Sequence, residues 1–211
     1  MFDPSDDFPS VTDALEAVTV RRPGSSDATV VAHALRQAVR TREAERSEGR
    51  YTSADVVWHL PAAEIAQPPR PGDMLVDAAA GRWTVLEVAQ ATLRSRWRCV
   101  ARNLAVLHGL DDCIDLEKAD FARGEGGAEE PTWHVWKAGL RARIQPGSAD
   151  LQTEHDRQGI AARFKVFLAD EVPIDHTLRI RGPDGAIYAI TGYRKADAID
   201  ALLEIDAIRV N

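Results

Sequence analysis

The sequence is poor in cysteine, long apolar runs and positive charge. Among its 211 residues only Cys99 and Cys113 are cysteines, and neither sits in a CxxC pair. A disulfide framework and a structural zinc site are therefore disfavoured. No stretch approaches the roughly 20 apolar residues needed to span a bilayer. The acidic start "MFDPSDDFPSVTDALEA" lacks the basic and apolar regions of a secretory leader, so a chain made and kept in the cytoplasm is expected. With 33 acids against 26 bases, the formal net charge is −7. That balance argues against a protein that coats nucleic acid through counterion release. In the richest basic run, "RTREAERSEGR" (Arg40 to Arg50), Glu43, Glu45 and Glu48 interleave with the arginines. Alternating signs build a solvated face and no phosphate-attracting field.

Catalytic signatures are missing too. There is no G-x-S-x-G, H-E-x-x-H, P-loop or H-x-E with a paired cysteine motif, which removes the commonest hydrolase, metalloprotease, nucleotide-triphosphatase and deaminase patterns. The glycine-rich "RGEGGAEE" (Arg123 to Glu130) carries three glutamates that would repel a phosphate, and reads as a connecting loop. "DDCIDLEKAD" gathers Asp111, Asp112, Asp115, Glu117 and Asp120 but lacks the glycine and spacing of an EF-hand loop. Ile114 and Leu116 alternate with the acids, so a half-buried edge strand with a solvated face is expected. His33, His59, His108, His134, His155 and His176 have no metal-binding spacing, although His59 and His134 both flank tryptophans. His155, between acids in "TEHDR", reads as a solvated loop residue. Trp58, Trp83 and Trp97 are expected in a core; Trp133 and Trp136 are left open between core and a stacking surface. No catalytic, cofactor-binding or metal-ligating residue is assigned, no cofactor is expected, and the chain is expected not to be an enzyme.

What is present is an ordinary globular composition, 45% hydrophobic and 28% charged, and an internal repetition. "ALRQAV", "ADVVWHLP", "DMLVDAAAGRWTVLEV" and "SRWRCVARNLAV" recur in order as "GLRARI", "ARFKVFLAD", "HTLRIRGPDGAIYAITGY" and "ALLEIDAIRV". The matched pairs are Leu35 with Leu140, Val39 with Ile144, and Val56, Trp58 and Leu60 with Phe164, Val166 and Leu168. Leu75 further matches Leu178, and Trp83 and Val85 match Tyr188 and Ile190, with offsets between 103 and 108 residues. Within each copy the large apolar residues alternate, as strands half-buried on one face require. Pro183-Asp184-Gly185 supplies the residues of a tight hairpin turn. "ATVVAHALRQAVRTREAE" has helix-forming composition and "KADAIDALLEIDAIRV" could also be a helix, but in both the repeat favours a strand. "TWHVWKAGLRARIQPGS" reads as a strand ended by Pro146-Gly147. Leading strands near Val18 and Ile114 complete each copy.

Antiparallel units of this size must close or pack face to face to hide their edges. The expectation is an all-β chain of two tandem small antiparallel barrels or sandwiches related by internal duplication. The N-terminal unit covers residues 1–109 as a diverged copy, and the C-terminal unit covers 110–211, with the boundary near "LAVLHGLDD".

Over Gly139 to Val210, "FKVFLAD", "HTLRIRGPDGAIYAITGYRK" with Asp184, Gly185 and Tyr188, and "LLEIDAIRV" resemble the phage head-tail joining (head-closure or stopper-like connector) proteins. "GDMLVD" and "GRWTVLEV" carry a weaker form of the resemblance over Leu35 to Val106. It implies a small β-barrel that assembles as a homo-oligomeric ring beneath the portal, closes the DNA-filled head and docks the tail. The implied partners are other phage neck, portal or tail proteins, with no sequence-specific nucleic acid and no membrane. The implied locations are the host cytoplasm during assembly and then the virion neck. The family usually carries one copy of the unit, and this chain carries two. Long loops at Ala119 to Pro131 and Gln145 to Gln158 are the expected contact segments. The alternatives are a tail-completion protein of the same particle and, from another class, a cellular β-barrel binding module or hydrolase with an unrecognised site.

Overall fold

A computed structural model describes residues 13–25, 27–123, 129–154 and 157–210. The chain divides into two compact units, Met1–Leu107 and His108–Asn211.

The first unit is a closed six-stranded barrel. Its strands are β1 (Leu15–Arg21), β2 (Ala28–Ala38), β3 (Val56–Pro61), β4 (Met74–Asp77), β5 (Arg82–Gln90) and β6 (Arg96–Arg102), in the order β1-β2-β3-β6-β5-β4. The second holds β7 (Asp112–Arg123), β8 (Glu129–Glu154), β9 (Arg157–Leu168), β10 (Leu178–Arg181), β11 (Ile187–Arg194) and β12 (Leu203–Val210). These close as β7-β8-β9-β12-β11-β10, the same order strand for strand. Closure leaves no free edge around either barrel wall. The chain is therefore all-β, as two tandem closed barrels. Of the two segments with helical composition, 28–45 is strand over Ala28–Ala38 but helix from Thr41, against the expected strand, and 195–210 is strand over Leu203–Val210. The apolar residues of both strands fit the inward positions of a closed sheet, and such burial outweighs helix propensity.

Register ties the barrels together more tightly than residue identity does. Val56, Trp58 and Leu60 face Ala101, Cys99 and Trp97, as Phe164, Val166 and Leu168 face Ala207, Ile205 and Leu203. A β-bulge interrupts β5 between Val85 and Glu87, and another interrupts β11 between Ile190 and Gly192. Because Val85 pairs with Ala101 and Ile190 with Ala207, the two bulges occupy the same place. Three of the sequence matches shift, those of Leu75 with Leu178, Leu35 with Leu140 and Val39 with Ile144. Leu75 faces Trp83 and Ile180 faces Tyr188, so Ile180, not Leu178, is the equivalent of Leu75. Arg36 faces Trp58 as Ile144 faces Val166. That register makes the fully buried Ala34 and Ala142 equivalent, and Leu35 is only half-buried. The narrow interior takes alanine there, which a search for large apolar residues passes over.

The hairpins that join equivalent strands are closed by different chemistry. At the β4–β5 turn Asp77 accepts hydrogen bonds from Ala79 N at 3.0 Å and Gly81 N at 2.7 Å. A Cβ on Gly81 would stand 2.6 Å from Asp77 Oδ2, so only glycine allows that approach. At the β10–β11 turn Gly185 takes φ +78 and Asp184 accepts from Ala186 N at 3.0 Å.

The cores differ in substance. Val18, Val31, Trp58, Leu60, Leu75, Val85 and Cys99 fill the first barrel, with Trp83 and Trp97 packed against them. Ile114, Leu116, Leu140, Val166, Leu168, Ile180, Tyr188, Leu203 and Ile205 fill the second. Outside the first barrel, the helix Thr41–Arg46 and Tyr51 cover Val39, Val57 and Val100.

Candidate interaction surface

An ionised group buried inside a barrel marks either a site or a brace. In the first barrel Arg102 grips Asp55 with two hydrogen bonds of 2.8 Å and reaches Arg50 O at 3.0 Å. Both side chains are nearly inaccessible. Burial pushes the Asp55 carboxyl up, but the Arg102 guanidinium and the Thr52 backbone outweigh it and hold the group below its ordinary range. Arg36 spans Glu16 at 3.0 Å and Asp77 at 3.1 Å and lies over the rings of Trp58 and Trp83 at 5.4 and 5.7 Å. Trp83 Nε1 donates to Asp77 at 2.9 Å.

Glu117 has this role in the second barrel. It is buried, accepts from Arg179 Nε and Arg181 Nε at 2.6 Å each, and its carboxyl is held low by those two cations against the opposing effect of burial. Arg179 in turn lies 4.1 Å above the Trp133 ring. The acidic stretch of β7 therefore does not present one solvated face, because Glu117 turns to the arginines. Asp112 accepts from Ile144 N at 2.8 Å and Asp115 from Gly139 N at 2.9 Å, so both tie β7 to β8. These carboxylates are consumed in holding the barrel. Among the described residues, no group of three or more His, Cys, Asp or Glu is placed to hold a metal ion.

The remaining sequence candidates are scattered. His59 lies half-buried on β3, and burial followed by the charges of Arg96 and Arg98 pushes it down to about 4. His134 lies on β8 with Nδ1 3.2 Å from Asp120. The two histidines belong to different barrels. Cys99 is buried, and its thiol is pushed up to about 12, chiefly by that burial. Trp136 is exposed. His155, and Gly124 to Ala128 of the glycine-rich stretch, lie outside the described residues. A cavity of about 50 Å³ in the first unit, between Asp55, Trp83, Arg102 and Val106, has room for a water molecule or two.

Surface shape distinguishes the second barrel. The segments expected as loops, Ala119 to Pro131 and Gln145 to Gln158, are largely strand. β8 pairs with β7 from Glu129 to Ala142 and with β9 from Ala142 to Glu154. Pro146-Gly147 does not end it. A bulge between Pro146 and Ala149 absorbs the distortion, and β7 pairing has already stopped at Ala142, so the proline lies where β8 has a free edge. β10 pairs with β7 only over Asp115–Lys118, and β12 pairs with β9 only over Arg163–Leu168. Both hairpins thus run on past the barrel wall as two-stranded arms. Their connections correspond to those between β1 and β2 and between β2 and β3, which are a short turn and the helix-bearing segment in the first barrel.

Apolar side chains stand out on the first arm. Phe121 is 55% exposed and Val135 is 51% exposed. Phe121 faces Pro131, Ala119 faces Trp133 and Glu117 faces Val135, so these pairs share one face of the hairpin. Two exposed residues with left-handed backbones occupy the β5–β6 turn of the first barrel. They are Leu93, at φ +68 and 73% exposed, and Arg94, at φ +56.

No family model matches the sequence, and no curated protein matches it. One solved structure similar to this chain is described as "Virion of native gene transfer agent (GTA) particle". The likeness has 18% identity and a TM-score of 0.38, and covers 46% of this chain and 93% of that chain. No described helix is long and apolar enough to cross a membrane.

Proposed function

We propose that this chain is a structural protein of a phage or prophage neck, a head-closure or head-tail connector that sits under the portal and docks the tail. One observation carries it. The segments that resemble the head-tail joining proteins fall on β9, on the β10–β11 hairpin and on β12 of one closed barrel, in the order the resemblance requires. The matching strand order and matching bulge of the first barrel support descent of both from one duplicated unit. Two-stranded arms give such a protein what assembly needs, since paired strands with exposed edges and apolar faces are sites of strand addition and docking. The buried ion pairs fit the same role by bracing the barrels.

Deletion of the gene from the strain that encodes it, followed by electron microscopy of induced particles, tests this reading. The expected result is DNA-filled or leaking heads without tails, restored by the gene in trans. Closed heads bearing defective tails would assign the chain to tail completion instead. Normal tailed particles, or no particles from the intact strain, would overturn the structural role.

A further inference from the structure

Resting on that assembly role, we propose that the β5–β6 turn of the first barrel is a docking knob, received by a different neck or tail protein in an apolar pocket rimmed by carboxylates. Leu93 stands 73% exposed in this turn, and Arg94 beside it is exposed too. Among the described residues no carboxylate pairs with Arg94. Both residues hold left-handed backbones, at φ +68 and +56, which glycine takes freely and a leucine or an arginine adopts at a cost. Backbone hydrogen bonds fix the turn in that state: Ala91 N donates to Arg96 O at 2.9 Å, Arg94 N to Ala91 O at 3.0 Å, and Ala62 N to Ser95 O at 2.9 Å. Strain held in place by its surroundings concentrates at functional sites.

Charge selects the pocket. From Val88 to Leu110 the chain has no acid, and it carries Arg94, Arg96, Arg98 and Arg102. Arg102 is consumed by Asp55 and Arg98 by Glu43, whereas Arg94 projects from the turn. The local field is positive enough to act on a neighbour, since Arg96 and Arg98 add to burial in holding His59 well below its ordinary value. In a chain of net charge −7 this turn is a basic exception, to which a carboxylate-bearing partner is drawn. Leu93 gives the contact its apolar half, because an apolar pocket removes that side chain from water and a phosphate does not. The equivalent connection of the second barrel, between β11 and β12, sets Lys195 against Asp197 and Asp200, and among its described residues none is left-handed. A pocket shaped for the first turn therefore rejects the second.

Complementation of the deletion strain with variant genes tests this, with urea unfolding of each purified full chain as the control for its fold. Leu93→Asp and Arg94→Glu should each lower the yield of tailed particles about tenfold or more without moving the urea midpoint, and Arg94→Lys should keep most of the yield. Arg94→Gly should raise the midpoint by releasing the strain and still lower the yield, a separation that a merely structural turn would not give. Full yields from both Leu93→Asp and Arg94→Glu overturn the knob. Loss with only one of them overturns the pocket as described, Arg94→Glu alone marking a phosphate contact and Leu93→Asp alone a pocket without carboxylates. If either substitution unfolds the chain, Arg94→Gly decides, and a raised midpoint with full yield overturns the proposal. Tailed particles from the deletion strain itself remove both this docking site and the neck role; tailless particles from that strain, with full yield from every variant, remove the docking site alone.

Discussion

The two barrels share a strand order and a bulge but answer the same wall positions in opposite ways. Val57 faces Val100 in the first barrel, and Lys165 faces Asp206 at the equivalent pair in the second. The valines are covered by the helix Thr41–Arg46 and Tyr51. Among the described residues no such helix lies between β8 and β9, where the chain instead continues as paired strand. Lys165 there pairs with Glu204 and lies 3.8 Å from Asp206. Inside, Trp58 occupies the place of Val166 and Trp97 that of Leu203. One topology thus tolerates a Trp-rich or an aliphatic interior and a covered or bare outer wall, provided that each choice is made consistently across facing strands.

Equivalent substitutions sharpen that contrast, with urea unfolding as the measurement throughout. Trp58→Ala should destabilise the first barrel by about 3–5 kcal/mol, and Val166→Ala the second by about 2 kcal/mol, because the larger side chain leaves the larger void. Equal losses would mean that the two interiors are packed alike. Asp55→Asn removes one partner of a buried pair and should cost the first barrel about 3–5 kcal/mol. The second barrel has Ile208 at the position of Arg102, so Asp55→Leu with Arg102→Ile should recover most of that loss. Glu117→Gln should cost the second barrel about 1–3 kcal/mol, less than Asp55→Asn, because Arg179 and Arg181 are partly exposed and can turn to water.

Acid separates the barrels further. His59 has its folded-state value lowered to about 4, so the unfolded chain takes up its proton first. The stability that the neutral ring supports is therefore present above about pH 6.5 and falls as pH drops toward the folded value, by roughly 1–2 kcal/mol at pH 5. His59→Phe, which copies Phe167 of the second barrel, should flatten this dependence; an unchanged profile would assign it to other groups. The lowered carboxyls of Asp55 and Glu117 act below that window. Their contribution is complete only above the ordinary carboxyl values, from about pH 5 upward, and is lost as pH falls through their folded-state values. The smallest effect is expected for Lys165→Ala, which removes a solvated ion pair from the bare wall and should leave the unfolding midpoint unchanged.

Strand periodicity was legible because Trp58 and Leu60, or Val166 and Leu168, alternate along a wall with one buried face. The repeat, in turn, favoured strands over helices at Ala28–Ala38 and Leu203–Val210. What escaped was whatever depends on the partner strand. The equivalence of Ala34 and Ala142 needed register, since an alanine has no weight in a search for large apolar matches. Glu117 looked solvated because its arginines lie more than sixty residues away, on β10. Pro146-Gly147 resembled a terminator, and only the free edge and the bulge make it compatible with a continuing strand. The apolar face of the arm could not be recognised before Phe121, Trp133 and Val135 were known to lie on paired strands.

By itself the sequence determined that the chain is all-β and folds as two successive small units with matching elements, because period-two burial and turn chemistry are local properties. Tertiary structure decided closure into barrels, the strand order, the pairing of buried charges and the two projecting arms. Those depend on which strands meet and in what register, and sequence neighbours do not fix that choice.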